Sequence, residues 1–200
     1  MFPKTPFSTT LLLLPTLLNA TPLPAPSPAQ CTPTTYTIAS YTYTYKYTYP
    51  AGSSASTSAV TISNPSVNIN FAGAAFPDPS VISDAAREGV KCEGTGDNLD
   101  SFPNEIVCEV PEGSKGGLRF GLRSRVDGAQ WQVVHEWGCD GQAWMSSTPI
   151  SLAPLSCGIK EDAGQGEGIM ECVSKSESGS TSKSFVPENV RRVCAGPTCG

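Results

Sequence analysis

Histidine is almost missing from this chain: His135 is the only one in 200 residues. Imidazole is the usual general base near neutral pH, so its scarcity removes most nucleophile–base pairings and most imidazole metal sites. No C-x-x-C pair supplies the alternative metal-ligand spacing, and no Gly-x-Ser-x-Gly elbow is present. Copper oxidative enzymes that use an N-terminal histidine are excluded too, because no histidine lies near the start. Neither a metal nor any other cofactor is expected. Long apolar runs are also lacking. The best candidate, Leu11 to Leu18, is interrupted by Pro15 and Thr16 and is far shorter than the ~20 residues of a membrane span. A basic face is missing as well: net charge is −5, which argues against a nucleic-acid partner, whose phosphates demand positive charge. No segment carries a helical period longer than about two turns.

What is present begins with an address. Lys4, the apolar run and the small residue after Asn19 read as a signal peptide over residues 1–20. Residues 21–30 are too rich in proline to pack and read as an exposed leader. Residues 31–200 are then long enough for a single β domain, with 170–200 expected to be a partly loop-rich tail. Eight cysteines stand in that part, Cys31, Cys92, Cys108, Cys139, Cys157, Cys172, Cys194 and Cys199. An even count in an exported chain reads as a disulfide framework, although spacing alone leaves roughly a hundred pairings open. The expected location is secreted and extracellular, with no membrane partner.

The pattern along the chain is β. Tyr41, Tyr43, Tyr45, Tyr47 and Tyr49 alternate with Thr42, Thr44, Lys46 and Thr48, the period-two signature of a strand. Val60 and Ile62 open a further extended stretch. Beyond a turn expected at Asn64-Pro65, Val67, Ile69 and Phe71 continue the alternation. Residues 79–88 suit one or two turns of helix, and Ile106, Cys108 and Val110 a short strand. Asp127-Gly128 is a two-residue hairpin turn whose twist matches paired strands. It sets Leu122 opposite Val133, Phe120 opposite His135 and Leu118 opposite Trp137, with Arg119 meeting Glu136 on the other face and Arg123 and Arg125 meeting Gln132 and Gln130. Asp140-Gly141 continues the meander and pairs Trp137 with Trp144. The pattern weakens after Cys157, with a last strand near 190–193. The fold class expected is all-β: a disulfide-braced antiparallel sandwich or barrel with at most one short helix.

Candidate chemistry is sparse. His135 falls on an apolar face, where a hydrogen-bonded core histidine is expected rather than a catalytic one. Acidic residues such as Glu105, Glu109, Glu112, Glu136, Asp140, Glu161 and Asp162 fall in turns or on polar faces, so a small secreted hydrolase run by two carboxylates remains only an alternative. The tyrosine strand has two readings. It is either a core strand, or a strip on which sugars or phenolics stack while the hydroxyls stay wet; five buried hydroxyls would each need a partner. Arg191-Arg192 reads as a solvated pair on a strand or as a processing site of the secretory route.

The order of features, Cys31 near the mature start, a long β region, Cys92 and Cys108 sixteen apart, then Trp131 to Cys139 and Cys157, resembles the secreted fungal family of the Alternaria major allergen and related elicitors. The resemblance covers roughly residues 31–175. It implies a compact β protein without enzymatic activity, acting as allergen, effector or elicitor, with host extracellular proteins or small phenolic or carbohydrate ligands as partners. It also implies a possible homodimer through Cys31. Additional cysteines at 172, 194 and 199 depart from the pattern and make room for Cys31 to pair within the chain. The preferred pairing is Cys92–Cys108 and Cys139–Cys157, with the remaining four unassigned. A cell-wall protein using the tyrosine face is the alternative from another class.

Overall fold

The computed structural model describes residues 28–48, 60–114, 116–124, 129–164, 166–174 and 180–194. Tyr49, the loop over 51–59, the Asp127-Gly128 turn and Cys199 lie outside these. A four-residue helix, α1 (Pro28–Cys31), starts inside the stretch expected to be leader. Twelve strands follow among the described residues: β1 (Thr35–Thr48), β2 (Thr61–Ala75), β3 (Ile82–Ser83), β4 (Val90–Thr95), β5 (Glu105–Val107), β6 (Leu118–Leu122), β7 (Gln130–Cys139), β8 (Gln142–Ser151), β9 (Leu155–Gly164), β10 (Glu167–Ser174), β11 (Lys183–Phe185) and β12 (Arg191–Val193). They form two antiparallel sheets. One runs β4-β2-β1-β10-β9 with β11 beside β1, the other β12-β8-β7-β6-β5 with β3 beside β7. The sheets pack face to face as a sandwich, bearing out the all-β expectation.

Alternation explains which side chains meet. Along β7 every second residue is buried, Trp131, Val133, His135, Trp137 and Cys139, while Gln132, Val134 and Glu136 turn outward, as a half-buried strand requires. These face Tyr36, Ile38, Tyr41, Ile69 and Phe71 from the other sheet, and with Phe120, Leu118 and Ile106 they make the main core. A smaller cluster of Cys31, Trp137 and Cys139, flanked by Phe76, Val81, Ile82, Trp144 and Val190, closes one end.

Several expectations need correction. The 79–88 helix is reduced to one 3-10 turn, Pro79–Val81, capped by the Asp78 carboxylate. Asn64-Pro65 is not a turn. β2 runs straight through it, and the pair forms a bulge opposite Tyr45 with Asn64 at φ +48°. Asparagine tolerates that left-handed conformation, and proline is admitted where the ladder is already broken. The β6–β7 register is Leu118↔His135, Phe120↔Val133 and Leu122↔Trp131, two residues away from the expected one. A slip of two keeps every side chain on its face, so alternation could not detect it. The ladder ends where Arg123 N–H donates to the Gln130 carbonyl at 2.9 Å, and Ala129 is already engaged by Leu152 N–H at 2.8 Å. Arg119 still reaches Glu136, at 3.2 Å, but as a diagonal neighbour, since its direct partner is Val134. At the next turn the expectation stands: Asp140 and Gly141 both have positive φ, 47° and 74°, and Trp137 is paired with Trp144.

The weak pattern after Cys157 hides a regular hairpin, β9–β10, in the region expected to be tail. Tyr47 lies over Gly168, its cross-strand partner, and occupies the space a side chain there would fill. This hairpin also overturns Cys139–Cys157. Cys157 and Cys172 sit directly opposite each other with Cα atoms 4.0 Å apart and are bonded, while Cys139 bonds Cys31. Cys92–Cys108 forms as expected, joining β4 of one sheet to the segment after β5 of the other. Cys31 is therefore committed within its own chain, and its sulfur is not open to a second subunit. Cys194 is also disulfide-bonded. No helix among the described residues is long and apolar enough to cross a membrane.

Candidate functional site

The single histidine anchors a buried polar chain that crosses the sandwich. Tyr36 projects from β1 in one sheet, and its hydroxyl lies 2.6 Å from Ser146 Oγ on β8 and 3.0 Å from His135 Nδ1 on β7 in the other. His135 Nε2 lies 2.9 Å from Asp84 Oδ1, which also accepts from Ala86 N–H at 2.8 Å. With the imidazole neutral, the order of donation is fixed. The carboxylate can only accept, so Nε2–H donates to it; Nδ1 then accepts from Tyr36, and Tyr36 accepts from Ser146. Burial raises the Tyr36 hydroxyl well above the usual tyrosine value, against the lowering effect of Ser146.

The residue types resemble a catalytic relay, but their setting is closed. His135, Tyr36 and Ser146 are fully buried, and the Asp84 side chain has no exposed surface. Tyr36, Phe71 and Trp137 pack around the imidazole, with ring centroids 5.3, 6.1 and 5.2 Å from it. No substrate reaches this Ser146. The chain is a polar clasp holding one sheet to the other, each member satisfying the next. The sequence flagged only His135; Tyr36, Asp84 and Ser146 carried no signal, being brought together from three other segments.

The tyrosine strand supplies core rather than a continuous strip. Tyr41, Tyr43 and Tyr47 are buried, with Tyr41 edge-on to Trp131 at 6.5 Å and Tyr43 edge-on to Phe102 at 6.4 Å. Tyr45, at the bulge, is half-buried and packs on the same core. Burial raises the hydroxyls of Tyr43 and Tyr45, with a smaller push from the next tyrosine along. The two carboxylates nearest each other on the outer face, Glu105 and Glu136, are both ion-paired to Arg119 at 3.2 Å. Among the described residues no group of three or more His, Cys, Asp or Glu side chains is placed to hold a metal ion.

The accessible candidate lies at the β7–β8 turn. Two depressions share the Trp144 ring as a wall. One, of about 430 Å³, is bounded also by Val81, Ser83, Trp137, Asp140 and Val193. The other, of about 330 Å³, is bounded by Pro28, Cys31, Cys139, Asp140 and Arg192. Trp137 Nε1 donates to the Cys31 carbonyl at 3.0 Å, and the Cys31–Cys139 bond holds α1 in place, so the groove floor is rigid. Trp144 differs. It is half-buried, and its Nε1 is shielded from solvent with no hydrogen-bond partner. An indole N–H in that state carries a penalty of about 1–3 kcal/mol, which a ligand acceptor would relieve. The sequence paired the two tryptophans but gave no hint that β3, α1 and β12 would complete a groove around them.

The chain matches no family model, no curated protein and no solved structure. The likeness to the Alternaria family therefore rests on cysteine order and β pattern alone.

Proposed function

We propose that this is a secreted, non-enzymatic binding protein that seats a small, flat, hydrogen-bond-accepting ligand, a phenolic or a sugar, against Trp144. The observation that carries the reading is the unpartnered Trp144 N–H beside two connected depressions on a disulfide-held floor. Aromatic walls with a few polar groups at the rim are the ordinary make-up of a small-molecule site. Export fits the three intrachain disulfides, which persist in oxidising surroundings. Binding rather than turnover fits a histidine sealed in the core. In the setting the cysteine order suggests, the ligand belongs to a host surface and the protein acts there as an effector or elicitor. Titration of tryptophan emission with a flavonol and with a chitin oligomer tests the reading. Saturable quenching by one of them should be lost in Trp144→Ala and weakened about fivefold in Trp144→Phe, which keeps the ring but not the N–H, a difference of ~1 kcal/mol. Near-ultraviolet dichroism confirms folding of both variants. Equal affinity in all three proteins would refute it.

A further inference from the structure

We propose that Arg191-Arg192 is a proteolytic processing site, and that cutting after it strips the outermost strand from the Trp144 groove. These are the only two adjacent basic residues in the chain. Arg191, Arg192 and Val193 are all exposed, and β12 is the edge of its sheet, paired only to β8 among the described residues. The segment is thus already in the extended form that proteases bind, with one side of its backbone open. Its hold is short: three pairings, to Met145, Trp144 and Ala143. Strand ends of this kind open locally at low cost.

The upstream side is anchored independently. Glu188 N–H donates to Thr148 Oγ1 at 2.9 Å, Ser147 N–H donates to the Glu188 carbonyl at 3.2 Å, and Asn189 Nδ2 donates to the Ser147 carbonyl at 2.9 Å. A cut at Arg192–Val193 leaves these in place. On the downstream side Cys194 is disulfide-bonded, but the six cysteines that brace the sandwich are bonded among themselves. None of them tethers the released piece. The reaction is peptide hydrolysis by a dibasic-specific endoprotease of the secretory route: water adds across the Arg192–Val193 bond, the C–N bond breaks, and a carboxylate on Arg192 and an amine on Val193 result.

The consequence falls on the groove. Val193 walls the larger depression and Arg192 the smaller, and Arg192 is the cross-strand neighbour of Trp144. Removal of the strand from Val193 onward opens the larger depression along the β8 edge. The cleavage stands by itself; its effect on ligand access rests on the binding role proposed above.

Treatment of the oxidised full chain with a dibasic-specific endoprotease, read by non-reducing intact mass, tests it. The expected result is one cut, loss of the mass from Val193 onward without reductant, an unchanged near-ultraviolet spectrum, and increased acrylamide quenching of tryptophan emission. Arg191→Gln with Arg192→Gln should resist. A folded chain that stays uncut while the reduced, unfolded chain is cut would overturn the proposal. So would a cut that unfolds the sandwich, or one that leaves quenching unchanged. Failure of flavonol or chitin binding in the uncut protein, by contrast, would touch only the ligand assignment.

Discussion

Replacing Tyr36 by phenylalanine removes one oxygen from the centre of the clasp and nothing else. Two hydrogen bonds go with it, at 2.6 Å to Ser146 Oγ and 3.0 Å to His135 Nδ1, and both partners are fully buried. Water cannot take over from the hydroxyl. Each bond contributes about 1 kcal/mol net, and a buried polar group left alone costs about 1–3 kcal/mol, so the loss should be roughly 2–4 kcal/mol. For a domain of this size each kcal/mol lowers Tm by about 2–4 °C, giving a fall of roughly 5–10 °C. Urea unfolding with disulfides intact measures it directly. A second variant separates the hydrogen bond from packing. Tyr36→Phe combined with Ser146→Ala removes both ends of one bond, and should recover about 1 kcal/mol relative to the sum of the single changes. A single variant within about 0.5 kcal/mol of the parent, the scatter of unremarkable surface changes, would show that the clasp does not hold the sheets together.

The same tyrosine gives a pH prediction. Burial keeps Tyr36, Tyr43 and Tyr45 protonated to higher pH than in the unfolded chain. Their contribution is therefore complete below the ordinary tyrosine value of ~10 and is lost as pH rises beyond it, at about 1.4 kcal/mol per pH unit for fully buried Tyr36. Stability followed by urea titration should decline above that pH, and less steeply in Tyr36→Phe. Tyr41→Ala should cost about 3–5 kcal/mol, as for other large core truncations, while Tyr45→Ala costs clearly less; equal effects in thermal melts would mean the strand's two environments have been misread. Cys31→Ala with Cys139→Ala opens a loop 108 residues long and should cost more than Cys157→Ala with Cys172→Ala, about 4.7 against 3 kcal/mol on loop entropy, with the reverse order in urea melts contradicting a clamp between distant segments.

Much of the sandwich was legible because its strongest strands are one-sided. β7 has an unbroken buried–exposed alternation, and Asp140-Gly141 adopts the two positive φ angles a tight hairpin needs, so the Trp137–Trp144 pairing followed. Where local signals are degenerate, the reading slipped. Leu118, Phe120 and Leu122 satisfy two registers equally, and only the backbone bonds of Arg123 and Ala129 choose between them. Tertiary cover can also replace a strand's own apolar residues: Gly168 is acceptable in β10 because Tyr47 fills its space. The clasp and the groove were the least legible. Asp84, His135, Tyr36 and Ser146 are separated by 51 to 110 positions, and the groove draws on α1, β3, β7, β8 and β12. Nothing in local pattern marks such distant residues as neighbours. The Cys31–Cys139 bond was missed for the same reason.

The binding role turns on a single N–H group, and nuclear magnetic resonance can watch it alone. The chain has three tryptophans, so a nitrogen–proton correlation spectrum of the oxidised protein carries three indole signals, assignable by substitution. Addition of a flavonol or chitin oligomer should move the Trp144 signal progressively to saturation while that of Trp131, sealed in the core, stays fixed. A Trp144 signal that does not shift with either probe, or shifts no more than that of Trp131, would contradict the account.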